Sequence, residues 1–163
     1  VTDDQAGRDQ RIAQITLDER LVVRRSPEVE HERAVAIFDL LEANHFAPVG
    51  GARGPFTVHL SLRDGRTLVI DITGAGRRPL VPVTLPLSPF RTLIKDYFTV
   101  CESYFEAIKR ASPSQIEAID MGRRALHDEG SELLRERLAA KIEVDQETAR
   151  RLFTLICVLH IRG

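Results

Sequence analysis

Phe56–Ile72, FTVHLSLRDGRTLVIDI, carries the pattern that sets the fold class. Phe56, Val58, Leu60 and Leu62 alternate with Thr57, His59, Ser61 and Arg63, and Leu68, Ile70 and Ile72 resume the alternation beyond Asp64-Gly65. Successive side chains of a strand point to opposite sides of the pleat, so a period of two collects the apolar set on one face. Asp-Gly is a favoured pair for the two-residue turn of a hairpin. The stretch therefore predicts a half-buried β-hairpin, and a lone hairpin is not stable in water until another layer covers its apolar face.

The flanking sequence supplies that cover. Upstream, Ile12, Ile15 and Leu17 mark a short strand. Ser26-Pro27 then reads as an N-cap followed by proline at the first helical position, with Glu28 and Glu30 in the first turn. The spacing predicts a helix to about Asn44 that buries Ala34, Ile37, Phe38 and Leu41. Phe46 to Gly54 and Gly74 to Pro79 read as Pro/Gly loops, and the prolines of Leu80 to Leu87 confine that extended segment to an edge. From Ser88 onward the pattern is helical. Phe90, Leu93, Ile94, Tyr97, Phe98, Cys101, Tyr104, Phe105 and Ile108 form one apolar stripe. Ser112-Pro113 with Gln115 has the capping-box form and starts a third helix to about His127; Gly130-Ser131 reads as a break before a fourth bearing Leu133, Leu134 and Leu138. Asp145 is placed to cap a last helix, whose segment Arg150 to Ile161 is apolar over a wide arc, with Arg150, Thr154 and Cys157 on the remaining edge.

These elements predict an α+β fold: a small antiparallel sheet, the hairpin 56–72 plus one or two further strands, packed against about five helices. Residues 1–10 read as a flexible polar leader and 11–163 as one domain. A chain of 163 residues can bury a sizeable core without staples. Acids and bases nearly cancel, to a net charge of −1, which gives no direction toward nucleic acid or a membrane surface. The polar first residues lack a signal-peptide pattern and the apolar run Leu152 to Ile161 is too short to span a bilayer, so a cytoplasmic location is expected. Cys101 and Cys157 have no CxxC spacing and read as reduced core thiols.

The densest group of ionisable residues is Asp120, Arg123, Arg124, His127, Asp128 and Glu129. Steps of three, four and seven residues put the first four on one helical face. Two guanidiniums, an acid and an imidazole side by side suit a phosphate or carboxylate ligand, with His127 and Asp120 as candidates for moving a proton and Arg123, Arg124, Asp128 and Glu129 for binding. The same spacing also forms ordinary helix-stabilising pairs. Glu30, His31 and Glu32 join His127 and Asp128 as possible metal donors only through long-range convergence, since no HxxxH or paired-cysteine motif occurs; no metal and no cofactor is expected. The glycine-arginine loops around Arg53 and Arg77 match neither nucleotide-binding glycine motif.

The segments SPEVEHERAVAIFDLLE, SPFRTLIKDYFTVCESYFEAIKR, SPSQIEAIDMGRRALHDEGSELL and DQETARRLFTLICVLH resemble uncharacterised protein family 0262, small proteins of alphaproteobacteria. The resemblance runs over most of the chain after about Ile12. It implies an intracellular bacterial protein and brings no activity, cofactor or catalytic residue. Two functional readings follow. The first is a non-enzymatic interaction or regulatory protein acting on an unknown protein partner through the surface Asp120 to Glu129. The alternative is an enzyme or small-anion binder using Arg123, Arg124 and His127, which requires these side chains to meet Arg53, Arg77 or Glu30 in a pocket. An exposed remnant of an apolar helix face would point to a homodimer.

Overall fold

The computed structural model describes residues 9–18 and 27–160. Its elements run β1 (Ile12–Leu17), α1 (Pro27–Glu42), β2 (Phe46–Pro48), β3 (Phe56–Arg63), β4 (Thr67–Thr73), β5 (Val83–Pro86), α2 (Arg91–Arg110), α3 (Pro113–Leu138), β6 (Ile142–Val144) and α4 (Gln146–His160). The expected hairpin is β3 and β4, paired from Thr57↔Thr73 to Arg63↔Thr67. Asp64 and Gly65 both take positive φ, 57° and 67°, as the tight hairpin turn demands. The alternation faces as predicted, with Phe56, Val58, Leu60, Leu68, Ile70 and Ile72 buried.

The α+β class holds, and the sheet is mixed where an antiparallel one was expected. Its order is β1-β3-β4-β5, with β3, β4 and β5 antiparallel and β1 parallel to β3. Parallel pairing needs a crossover connection, and α1, lying between β1 and β3 in the chain, supplies one. Asn44 fastens that crossover: its Oδ1 accepts the Ile12 N–H at 2.7 Å, and its Nδ2 donates to the carbonyls of Ile12 and Leu40. Phe46–Pro48, expected as loop, is a strand because β6, nearly a hundred residues later, pairs with it antiparallel. A local pattern carries no trace of a partner that distant.

The helices cover one face of the sheet. Val58, Leu60, Leu68 and Ile70 face Leu134, Leu138, Leu152 and Ile156 across the core. α4 lies inside this layer against α1, α2, α3 and β3, and Leu152 through Leu159 are buried on every side. A helix apolar nearly all round is stable only in such a place. Asp145 caps it as expected, accepting the Thr148 N–H at 2.8 Å. The Ser112–Gln115 capping box forms at the start of α3. Ser26 lies outside the described residues.

Two helical expectations change. The third and fourth helices are one, α3, continuous through Gly130 and Ser131, which makes four α-helices among the described residues. Gly130 is there for packing: a Cβ at that position would lie 2.5 Å from Phe153 Cζ. Ser131 stays helical by donating to the Asp128 carbonyl at 3.0 Å while accepting from Gln146 Nε2. In α1 the buried positions are Ala36 and Leu40, with Ile37 half-buried, while Ala34, Val35, Phe38 and Leu41 are exposed, Phe38 at 63%. α1 meets α4 along a stripe rotated from the predicted one, and Glu32 on the same helix is held inward, its side chain 17% exposed.

Candidate functional site

α1, α2, α3 and α4 converge on a cleft of about 630 Å³. α3 contributes Arg123, Arg124 and His127 to its wall, α1 His31 and Glu32, α2 Tyr104 and α4 Arg150. His127 follows Arg124 by three residues and Arg123 by four, so one side of the helix presents them together. Asp120, one turn earlier, fixes two of them. Its Oδ1 accepts from Arg123 at 3.0 Å, and its Oδ2 forms an ion pair with Arg124 Nε at 3.0 Å. Arg123 also donates to Glu32 Oε1 at 3.3 Å, Tyr97 Oη donates to Glu32 Oε2 at 3.3 Å, and the Arg123 guanidinium lies 4.4 Å over the Tyr104 ring. Glu32 thereby ties α1 to both α2 and α3. Arg150 meets Asp128 Oδ1 at 3.6 Å across the α3–α4 junction.

His127 is buried under this layer, its ring 5.1 Å from that of Tyr97. The Thr154 hydroxyl donates to the Arg150 carbonyl at 3.2 Å, a bond that takes its only hydrogen. Thr154 Oγ1 therefore accepts from His127 Nε2, at 3.2 Å, and the imidazole lone pair sits on Nδ1. Nδ1 and Arg123 Nε, four residues apart on α3, are buried without a hydrogen-bond partner among the described residues. Burial lowers the His127 pKa to about 4, and the charges of Arg150 and Arg123 push the same way. The ring is neutral at pH 7. Burial works against the Arg123 charge, but Glu32 and Asp120 outweigh it and raise the guanidinium's pKa. Burial also pushes the Tyr97 phenol well above its ordinary value, the Cys101 thiol up to about 11, and the Cys157 thiol well above 9.0.

The model of the uncharacterised protein family UPF0262 matches residues 9–162 of this chain. The chain belongs to that family. Similar proteins of the family occur in Paramagnetospirillum magneticum, 63% identical over 94% of this chain and 98% of that protein, and in Rhodospirillum rubrum, 63% identical over 91% of both. A Rhodopseudomonas palustris member is 57% identical over 93% of both. No solved structure matches. The family resemblance is thus established and carries no activity with it, so any function must be read from the site.

The structure gathers some of the expected site residues and separates others. Asp120, Arg123, Arg124 and His127 meet at the cleft; Asp128 stands at its edge, 60% exposed and paired with Arg150, and Glu129 is exposed away from the lining. His31 and Glu32 join from α1, whereas Glu30 is not among the lining residues. Arg53 and Arg77 take no part, contrary to the convergence expected for an anion site, and Arg150 stands at the cleft in their place: the Arg53 carbonyl accepts from Ala75, locking the two loops to each other at the end of the sheet. The polar edge of the last helix meets this segment, through Arg150 at Asp128 and Thr154 at His127. Sequence reasoning missed Tyr97 and Tyr104, which read as members of an apolar stripe. Among the described residues no group of His, Cys, Asp and Glu is arranged to hold a metal ion, and no helix is long and apolar enough to cross a membrane.

Proposed function

We propose that this is a non-enzymatic binding or regulatory protein that recognises an anionic group of its partner, a carboxylate or phosphate, in the cleft between α1 and α3. The observation carrying the reading is the charge facing that cleft: the guanidiniums of Arg123, Arg124 and Arg150 against the carboxylate of Glu32, among the described residues. Asp120 and Asp128 orient the arginines from outside the lining. Arginines preset by acids lose little freedom on accepting an anion, and their planar forks match carboxylate and phosphate oxygens.

Binding without catalysis is favoured by the state of the candidate proton carriers. A general acid or base works best with a pKa near the operating pH. His127 is held near 4 and spends Nε2 on Thr154, and Asp120 spends both oxygens on arginines. The test is calorimetric titration with acetate, succinate and inorganic phosphate. Wild type binds at least one saturably and more weakly as salt is raised, whereas Arg124→Gln/Arg150→Gln, at positions partly open to solvent, loses the heat and keeps its circular dichroism. Absence of saturable binding in wild type, or equal affinity in the variant, would refute the reading.

A further inference from the structure

The apolar stripe of α2 is longer than the core it packs against. Leu93, Ile94, Tyr97 and Cys101 are buried, but Phe98 and Phe105 are only half-buried. With Val29 of α1 and Val158 of α4 they line a groove of about 730 Å³, within the usual range for a small-molecule site. Glu32 and Phe105 line both this groove and the arginine cleft, so the two adjoin. α4 runs beneath them, with Arg150 in the cleft and Val158 in the groove, eight residues or about 12 Å apart along the helix.

From this juxtaposition we infer that cleft and groove form one site for a long-chain carboxylate, its head on Arg124 and Arg150 and its alkyl chain along Phe105 and Phe98 toward Val158. The inference rests on the anion-binding reading of the cleft and adds the ligand's class. Charge sets the orientation. At the groove's lip Glu28, Glu102 and Glu106 outnumber Arg91 and Lys95, which disfavours an anion there, while at the cleft end the three arginines are balanced by Glu32, Asp120 and Asp128 and still present unused N–H donors. Arg124 and Arg150 each meet their acid through one nitrogen, and each guanidinium has five N–H donors, so two arginines can serve the two oxygens of one carboxylate. Glu32, at the junction, is already held by Tyr97 and Arg123, so an alkyl chain passing it strands no unpaired charge.

The full chain is titrated with butyrate, octanoate, dodecanoate and dodecanol below their aggregation limits, in wild type, Phe98→Ser and Arg124→Gln. In wild type affinity rises from octanoate to dodecanoate by about fourfold for each methylene buried, and dodecanol binds at least tenfold more weakly than dodecanoate. Phe98→Ser flattens the chain-length dependence and leaves butyrate unaffected; Arg124→Gln weakens all three carboxylates. If butyrate binds but octanoate and dodecanoate bind no tighter, the groove is not part of the site and the inference falls while the anion-binding reading stands. If dodecanol binds as well as dodecanoate and Arg124→Gln changes nothing, both fall. The wild-type chain-length series decides the matter even if a variant fails to fold.

Discussion

Gly130→Ala tests the packing that holds α3 against α4, and α3 contains its own control. Both Gly122 and Gly130 are helical, and each should gain up to ~1 kcal/mol in helix propensity on becoming Ala. A methyl at Gly122 meets no atom of the described residues within 4 Å. At Gly130 it would lie 2.5 Å from Phe153 Cζ and 2.6 Å from Cε1 and Cε2, well inside van der Waals contact. Phe153 is fully buried and edge-on to Tyr97, so its ring has nowhere to swing. The propensity gain is common to both variants, and their difference isolates the overpacking, about 1–3 kcal/mol. In urea unfolding followed by circular dichroism, Gly122→Ala should be at least as stable as wild type and Gly130→Ala less stable than Gly122→Ala by that amount. Each kcal/mol moves a thermal midpoint by about 2–4 °C in a chain of this size. Phe153→Leu in the Gly130→Ala background should recover part of the loss, as coupled neighbours do in a double-mutant cycle. Equal stability of the two alanine variants would refute the claim that Phe153 rests on the Gly130 backbone.

Stability should fall as pH drops through the window between 6.5 and about 4, because folded His127, with its lowered pKa, binds fewer protons there than the unfolded chain does. The full effect, reached below pH 4, is ~3 kcal/mol. His127→Gln should flatten that part of the curve, and a His127 titration midpoint near 6.5 by NMR would contradict the burial described. Leu155→Ala, in the middle of α4 with its side chain fully buried, should cost about 2–5 kcal/mol through cavity formation; an unchanged denaturation midpoint would mean that α4 is not the core helix.

The candidate site was half legible. Asp120, Arg123, Arg124 and His127 share one face of a single helix, and the helical period alone brings them together. Glu32, Tyr97, Arg150 and Thr154 complete the site from three other helices, and their approach depends on packing that no local pattern records. Tyr97 is the instructive case. In the sequence it is one aromatic among several on an apolar stripe, and in the fold its ring packs in the core against Phe153 while its hydroxyl reaches Glu32. Gly130 misled for a related reason, since glycine breaks a helix and also admits a ring against its backbone, and only Phe153 distinguishes the two uses.

The sequence by itself determined what depends on near neighbours: the β3–β4 hairpin with its Asp64-Gly65 turn, the caps at Ser112 and Asp145, and the burial of the last helix. Each rests on a period or a cap spanning a few residues, where backbone geometry leaves few alternatives. Tertiary structure alone decided the parallel placement of β1, the pairing of Phe46–Pro48 with Ile142–Val144, the rotation of α1 that leaves Phe38 outside, and the joining of the arginine cleft to the apolar groove. Those features join residues far apart in the chain, and their energies arise from surfaces that exist only once the helices have docked on the sheet.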